Sequence, residues 1–166
     1  MNELLRTATR LVQEGDELPS QTDIRRAVST TYYALFHELA ELCADQIAGY
    51  SSDRVARPDW VRVYRALEHG RVETVIRELD PDRRSKARRD LPSPVEWQIE
   101  TFVETFERLK SLRHSADYDP TPFTMSALEV QVLIDDAVGA IMFLDLASPA
   151  AKRELAFACI VARRRV

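Results

Sequence analysis

The chain has 166 residues, enough for one domain with a substantial core and too few for two comfortable ones. Hydrophobic residues make up 45%, charged residues 30%, and only four glycines occur, which excludes disordered, collagen-like and fibrous classes and points to a soluble helical protein. A net charge of −4 argues against bulk electrostatic capture of nucleic acid and leaves room for a local basic patch.

In chain order, a first helix is predicted over residues 2–14, stopped by Gly15, because glycine readily takes the left-handed conformation that closes a helix. Ser20 with Asp23 three residues on forms a capping-box start. Ile24, Val28, Thr31, Leu35, Leu39 and Leu42 then recur at helical spacing, so a long central helix is predicted to about Ala48, before Gly49. Residues 51–93 read as irregular, with short helical stretches around Trp60–His69 and Arg71–Leu79.

A basic segment at 80–93 follows, holding Arg83, Arg84, Lys86, Arg88 and Arg89 between prolines. It reads either as a solvated loop or as an arm that contacts RNA phosphates, for which arginine has suitable bidentate geometry. Ser93, Pro94 and Glu96 predict a helix with serine as N-cap, proline at the first position and glutamate at the third. Its apolar stripe is Ile99, Phe102, Phe106 and Leu109, and the next position on that stripe is Arg113. Pro120 and Pro122 end the segment. Thr124 is the expected cap of a helix over 125–147, and Ser148-Pro149 the start of a last helix over 150–164. No segment shows sustained strand alternation. The expected fold is all-α, an up-and-down antiparallel bundle of about five to six helices in a single domain over 1–166.

The longest apolar run, AVGAIMFL at 137–144, is far shorter than the roughly 20 residues a bilayer-spanning helix requires. With no signal-peptide pattern at the start, a cytoplasmic protein without a membrane partner is expected. Cys43 and Cys159 read as buried free thiols. His37, His69 and His114 make no metal-ligand spacing, so neither metal nor cofactor is expected.

Two stretches carry functional information. RRAVSTTYYALFHELAEL, residues 25–42, places Tyr32, Tyr33, Phe36 and His37 on adjacent helix faces. On pattern alone such rings read as core with satisfied hydroxyls. SLRHSADYDP, residues 111–120, places Arg113 where a core residue is due. A buried guanidinium must recover its lost hydration, and Asp117, four residues on, is its natural local partner. One reading is therefore a polar network of Arg113, Asp117, Tyr118 and the central-helix residues Tyr32, Tyr33 and His37 that pins helix to helix.

Together the two stretches, Ala-x-Ser-x-x-Tyr-Tyr-Ala-x-Phe-His and a later Arg followed by Ala-Asp-Tyr, resemble the HEPN superfamily of helical bundle proteins, over roughly residues 20–147. The resemblance implies a HEPN-like bundle, acting as a homodimer on RNA within a bacterial toxin-antitoxin or defence system. Its ribonucleases cleave RNA without metal, using an Arg and a His with about four to six residues between them. On that pattern Arg113 matches the arginine and His114 the polar position after it. Tyr118 occupies a position where the histidine is expected, and these three are the catalytic candidates. Arg108 with His114 also satisfies the spacing, but Arg108 falls on the polar face shared with Thr101 and Glu104.

Metal-free cleavage needs a base for the 2′-hydroxyl, an acid for the leaving oxygen and a cation for the phosphorane, and tyrosine is a poor base. Two other classes stay open. One is a non-catalytic dimerising module that binds an antitoxin or a nucleotidyltransferase-like protein. The other is a ligand-binding bundle with a pocket lined by Tyr32, Tyr33, Phe36 and Trp97.

Overall fold

A computed structural model describes residues 2–13, 18–79 and 95–160 of the protein. Among these residues the chain is all-helical, with seven helices and no strand. The first, α1 (Glu3–Gln13), buries Leu5, Ala8 and Val12 on one stripe; Gly15, its expected stop, lies outside the described residues. The second, α2 (Gln21–Ala48), starts as its sequence predicts. Ser20 Oγ accepts from the amide of Asp23 at 3.2 Å, and the Asp23 carboxylate accepts from the Ser20 amide at 3.2 Å. It ends at Gly49, whose φ of 86° lies in the left-handed region that a side chain disfavours.

The region after α2 holds two complete short helices, α3 (Pro58–Ala66) and α4 (His69–Leu79), which is why seven helices replace the expected five to six. The break falls at Leu67–Glu68, and the Glu68 carbonyl accepts from the amides of Arg71 and Val72, both at 3.0 Å. His69 therefore opens α4 instead of closing the helix before it. Arg57 ties this region back to the end of α2, donating to the carbonyls of Ala48 at 2.7 Å and Gly49 at 3.0 Å.

Three longer elements complete the fold: α5 (Trp97–Tyr118), α6 (Ala127–Leu146) and α7 (Pro149–Ile160). Two expected caps are corrected. Glu96 stands at the N-cap of α5, not three residues inside it, and its carboxylate accepts from Ser148 at the start of α7, with 2.9 Å to the Ser148 amide. Ser126, not Thr124, caps α6. The reason is local: Ser126 has Glu129 three residues on, and the two close a reciprocal box, whereas Thr124 has Ala127 there. Ser148 and Pro149 begin α7 as expected, and the part of that helix predicted beyond residue 160 lies outside the described residues.

The central element is α2, which packs against α1, α3, α5, α6 and α7. Its burial is accordingly broad, with Ile24, Val28, Tyr32, Leu35, Leu39 and Cys43 all in the core. From α5 come the expected Ile99, Phe102, Phe106 and Leu109, joined by Val103. Burying these side chains, each contributing about 1.5–3 kcal/mol relative to exposure, holds the helices together. Cys43 and Cys159 are free and buried between α2 and α7. Contact with Cys159, together with burial, pushes the Cys43 thiol far up. No helix of the described residues is long and apolar enough to cross a membrane.

Candidate functional site

The two motif stretches meet. Arg25 of α2 reaches the Ala116 carbonyl, Ser29 reaches Asp117, Tyr33 reaches Arg113, and the Tyr32 ring lies 5.2 Å from Phe106. Arg25 and Ser29 of α2 meet Ala116 and Asp117 of α5, whereas Tyr32 and Tyr33 meet Phe106 and Arg113, so this pair is antiparallel. Arg25, Ser29 and Tyr33 are spaced i, i+4, i+8, which places all three on the face that α5 covers.

Arg113 is the hub. Its side chain is 22% exposed, so it continues the apolar stripe of α5 without being sealed from solvent. Nε lies 2.7 Å from Asp117 Oδ2, as the i, i+4 spacing predicts. The Nε–H direction misses the oxygen, so this is a charge pair and not a directed hydrogen bond. Nη2 donates to the Tyr33 hydroxyl at 3.1 Å and more weakly to that of Tyr118 at 3.5 Å. The guanidinium carbon is 5.5 Å from the ring centroids of Tyr32, Tyr33 and Tyr118. Burial opposes the charge, but Tyr33, Asp117 and Tyr118 outweigh that penalty and keep Arg113 protonated. Nη1 has no protein partner among the described residues.

Asp117 is held from the other side, its Oδ1 accepting from Ser29 Oγ at 2.5 Å. Below it, the carbonyls that end α5 would be left open, and Arg25 collects them. It donates to Ala116 at 2.7 Å, Asp119 at 3.0 Å and Thr121 at 2.6 Å. The Asp119 carboxyl, fixed by the Thr121 amide and hydroxyl, stays below the usual carboxylate range.

Of the expected network, Tyr32, Tyr33, Asp117 and Tyr118 converge on Arg113. His37 stands apart: its Nδ1 is 2.5 Å from the hydroxyl of Tyr64 on α3, against whose ring it stacks. His114 is exposed on the outer side of α5, its ring 5.3 Å from that of Tyr118. Tyr118 itself is 64% exposed. Arg108 forms an ion pair with Asp136 of α6, on a different face from His114's neighbour Tyr118. Trp97 packs on Phe143 of α6, and no ring contact joins it to Tyr32, Tyr33 or Phe36. Arg83, Arg84, Lys86, Arg88 and Arg89 lie outside the described residues.

Three participants, Ser29, Arg25 and His69, are not among the sequence-predicted site residues, although Ser29 is the serine of the Ala-x-Ser-x-x-Tyr-Tyr stretch. Ser29 and Arg25 carried a signal, the i, i+4, i+8 alignment with Tyr33. His69 carried none: it reaches the site from α4, where its ring lies flat on Phe36, with centroids 3.9 Å apart and planes 19° apart. Its Nδ1 is 3.0 Å from the Tyr32 hydroxyl. Burial, and then the charge of Arg113, hold its pKa below the ordinary histidine value, while Glu73 opposes them. Burial also pushes the Tyr32 phenol far above its ordinary range, so Tyr32 remains a neutral hydroxyl.

The chemistry available is thus a fixed cation, three phenols around it, the His69 imidazole across Tyr32 and Tyr33, and an exposed His114 against Tyr118. Among the described residues no group of three or more His, Cys, Asp or Glu is arranged to hold a metal ion. Comparison of the chain with protein-family models, with curated proteins and with solved structures finds no match.

Proposed function

We propose that the protein is a HEPN-like helical protein that holds an RNA phosphodiester at Arg113 and cleaves it without a metal, in the setting of a bacterial toxin-antitoxin or defence pair. The observation that carries the reading is Arg113 itself. A guanidinium placed in the stripe of α5, braced by Asp117, Tyr33 and Tyr118 and left with Nη1 unpartnered among the described residues, suits a phosphate oxygen better than it suits packing alone. The test is incubation of the purified chain with structured RNA at low salt. Cleavage that is lost in Arg113→Ala and reduced in His114→Ala supports it; no cleavage, or cleavage indifferent to Arg113, removes it.

A second reading is favoured by a separate observation, the exposed apolar side chains Leu128, Val132, Met142 and Leu146 on α6. On this reading the chain is a non-catalytic module that dimerises or binds an antitoxin or nucleotidyltransferase-like protein, and the Arg113 network only holds α5 to α2. Intact dimerisation together with absent RNA cleavage supports it.

A further inference from the structure

The proposed function has a cation for the phosphate but no base, because Tyr118 stands where a histidine is expected and a phenol is a weak acceptor at neutral pH. His114 lies outward on α5 and touches Tyr118. His69 is placed differently. It is exposed at the start of α4, yet its ring is fixed by Phe36 beneath it and by Tyr32 at Nδ1. It also shares two neighbours with Arg113. The Tyr32 and Tyr33 rings lie 6.1 and 6.2 Å from the His69 ring, and each is 5.5 Å from the Arg113 guanidinium carbon. The imidazole and the guanidinium thus approach one pair of α2 tyrosines from α4 and α5, two helices that pack directly against each other.

Resting on that reading of Arg113, we propose that His69 is the base that removes the proton from the ribose 2′-hydroxyl of the bound RNA. In the productive tautomer Nδ1–H donates to the Tyr32 oxygen, and the Nε2 lone pair is free, since Nε2 has no hydrogen-bond partner among the described residues. Nε2 takes the 2′-hydroxyl proton, and the 2′-oxygen forms a bond to the adjacent phosphorus. The bond from phosphorus to the 5′-oxygen breaks, and that oxygen takes a proton from water. Arg113 Nη1 balances the charge that develops on the non-bridging oxygens. The products are a 2′,3′-cyclic phosphate and a 5′-hydroxyl, and the imidazolium returns its proton to solvent.

The charged and titratable groups facing His69 are Tyr32, Tyr33 and His37 of α2, Glu73 of α4 and Arg113 of α5. Burial and Arg113 outweigh Glu73, so His69 is neutral at pH 7 and able to accept a proton.

The test uses the full chain and a short oligoribonucleotide, with a 2′-deoxy version as control. His69→Gln keeps a hydrogen-bonding group for Tyr32 and removes the base. The expected result is a fall in single-turnover cleavage of about 100-fold or more, RNA binding within about twofold, and loss of the acid limb of the pH–rate profile. His69→Gln that cleaves at the wild-type rate, or that loses binding instead of chemistry, overturns the assignment while leaving Arg113 in place. No cleavage by the wild type, or full cleavage by Arg113→Ala, overturns the parent reading and this one with it.

Discussion

Arg25, near the start of α2, donates through Nη1 to the carbonyl of Ala116 at 2.7 Å, close to the end of α5. The same guanidinium takes the carbonyls of Asp119 and Thr121, and its carbon lies 5.3 Å from the Phe123 ring. One side chain therefore satisfies oxygens that a helix terminus normally leaves to water or to a glycine cap. Hydrogen bonds to a charged group contribute about 1.5–3 kcal/mol, so Arg25→Ala is expected to lower stability by roughly that amount. Arg25→Lys, with a single ammonium in place of a fork, recovers less than half. Urea denaturation of the three proteins measures both effects. A loss under about 0.5 kcal/mol for Arg25→Ala would show that water replaces the arginine without penalty.

Arg113 and Asp117 form a pair that is neither sealed nor free, at 22% and 28% side-chain exposure. Full burial would make the loss of one partner cost about 3–5 kcal/mol, and full exposure almost nothing. Between these limits Arg113→Ala is expected to destabilise the fold by roughly 1–3 kcal/mol, because Tyr33 and Asp117 lose their shared partner. A double-mutant cycle with Asp117→Asn should return a coupling of about 1 kcal/mol. Additivity of the two changes would mean that the cation interacts chiefly with the tyrosines.

What the sequence made legible here is what local chemistry decides. Ser20, Asp23 and Gly49 bound α2 by themselves, and the Arg113–Asp117 contact follows from a four-residue spacing. Glu96 shows the limit of such reasoning. A carboxylate after Ser-Pro reads as a local cap, but Ser148, more than fifty residues on, provides two donors and takes it. His69 shows the same limit at the site. Nothing in LEHGR marks a functional histidine, and only the approach of α4 to Phe36 and Tyr32 gives the ring a place. Tyr33 was legible as a candidate, but its partner eighty residues away was supplied by antiparallel packing of α2 on α5.

His69 should also leave a mark on stability. Its folded pKa lies below the ordinary 6.5 through burial and through Arg113, so the unfolded chain binds the proton more readily. The folded state is then favoured fully above 6.5, and this contribution is lost as pH falls from 6.5 through the folded value. Proton NMR of the imidazole is expected to give a midpoint below 6.5 that rises in Arg113→Ala, where a repelling charge is gone. His69→Gln should flatten the stability profile in that window. A midpoint at or above 6.5 in the wild type would show that Glu73 dominates the site.

The outer surface of α6 has a consequence for assembly. Leu128, Val132, Gly139, Met142 and Leu146 fall on one side of the helix, opposite the buried Val130, Leu133, Ile134, Ala137, Ala140 and Leu144. A helix apolar on both sides is normally covered on both, and the exposed members here are 51–75% accessible. Gly139 sits near the middle of this stripe with no atom within 4 Å of where a Cβ would stand, so another helix can approach closely there. Asp135 is the one charge on the stripe, and it already accepts from Gln131 at 2.9 Å. A second copy packed across α6 is the expected occupant, since the same stripe on each copy is self-complementary under two-fold symmetry. Light scattering should then give twice the chain mass for the wild type and a single chain mass for Met142→Glu with Leu146→Glu. The helical circular-dichroism signal should be unchanged, because neither side chain belongs to the buried face. A wild type that is monomeric at high micromolar concentration would leave the stripe without a second copy as its cover, and the double substitution should then raise solubility without changing mass.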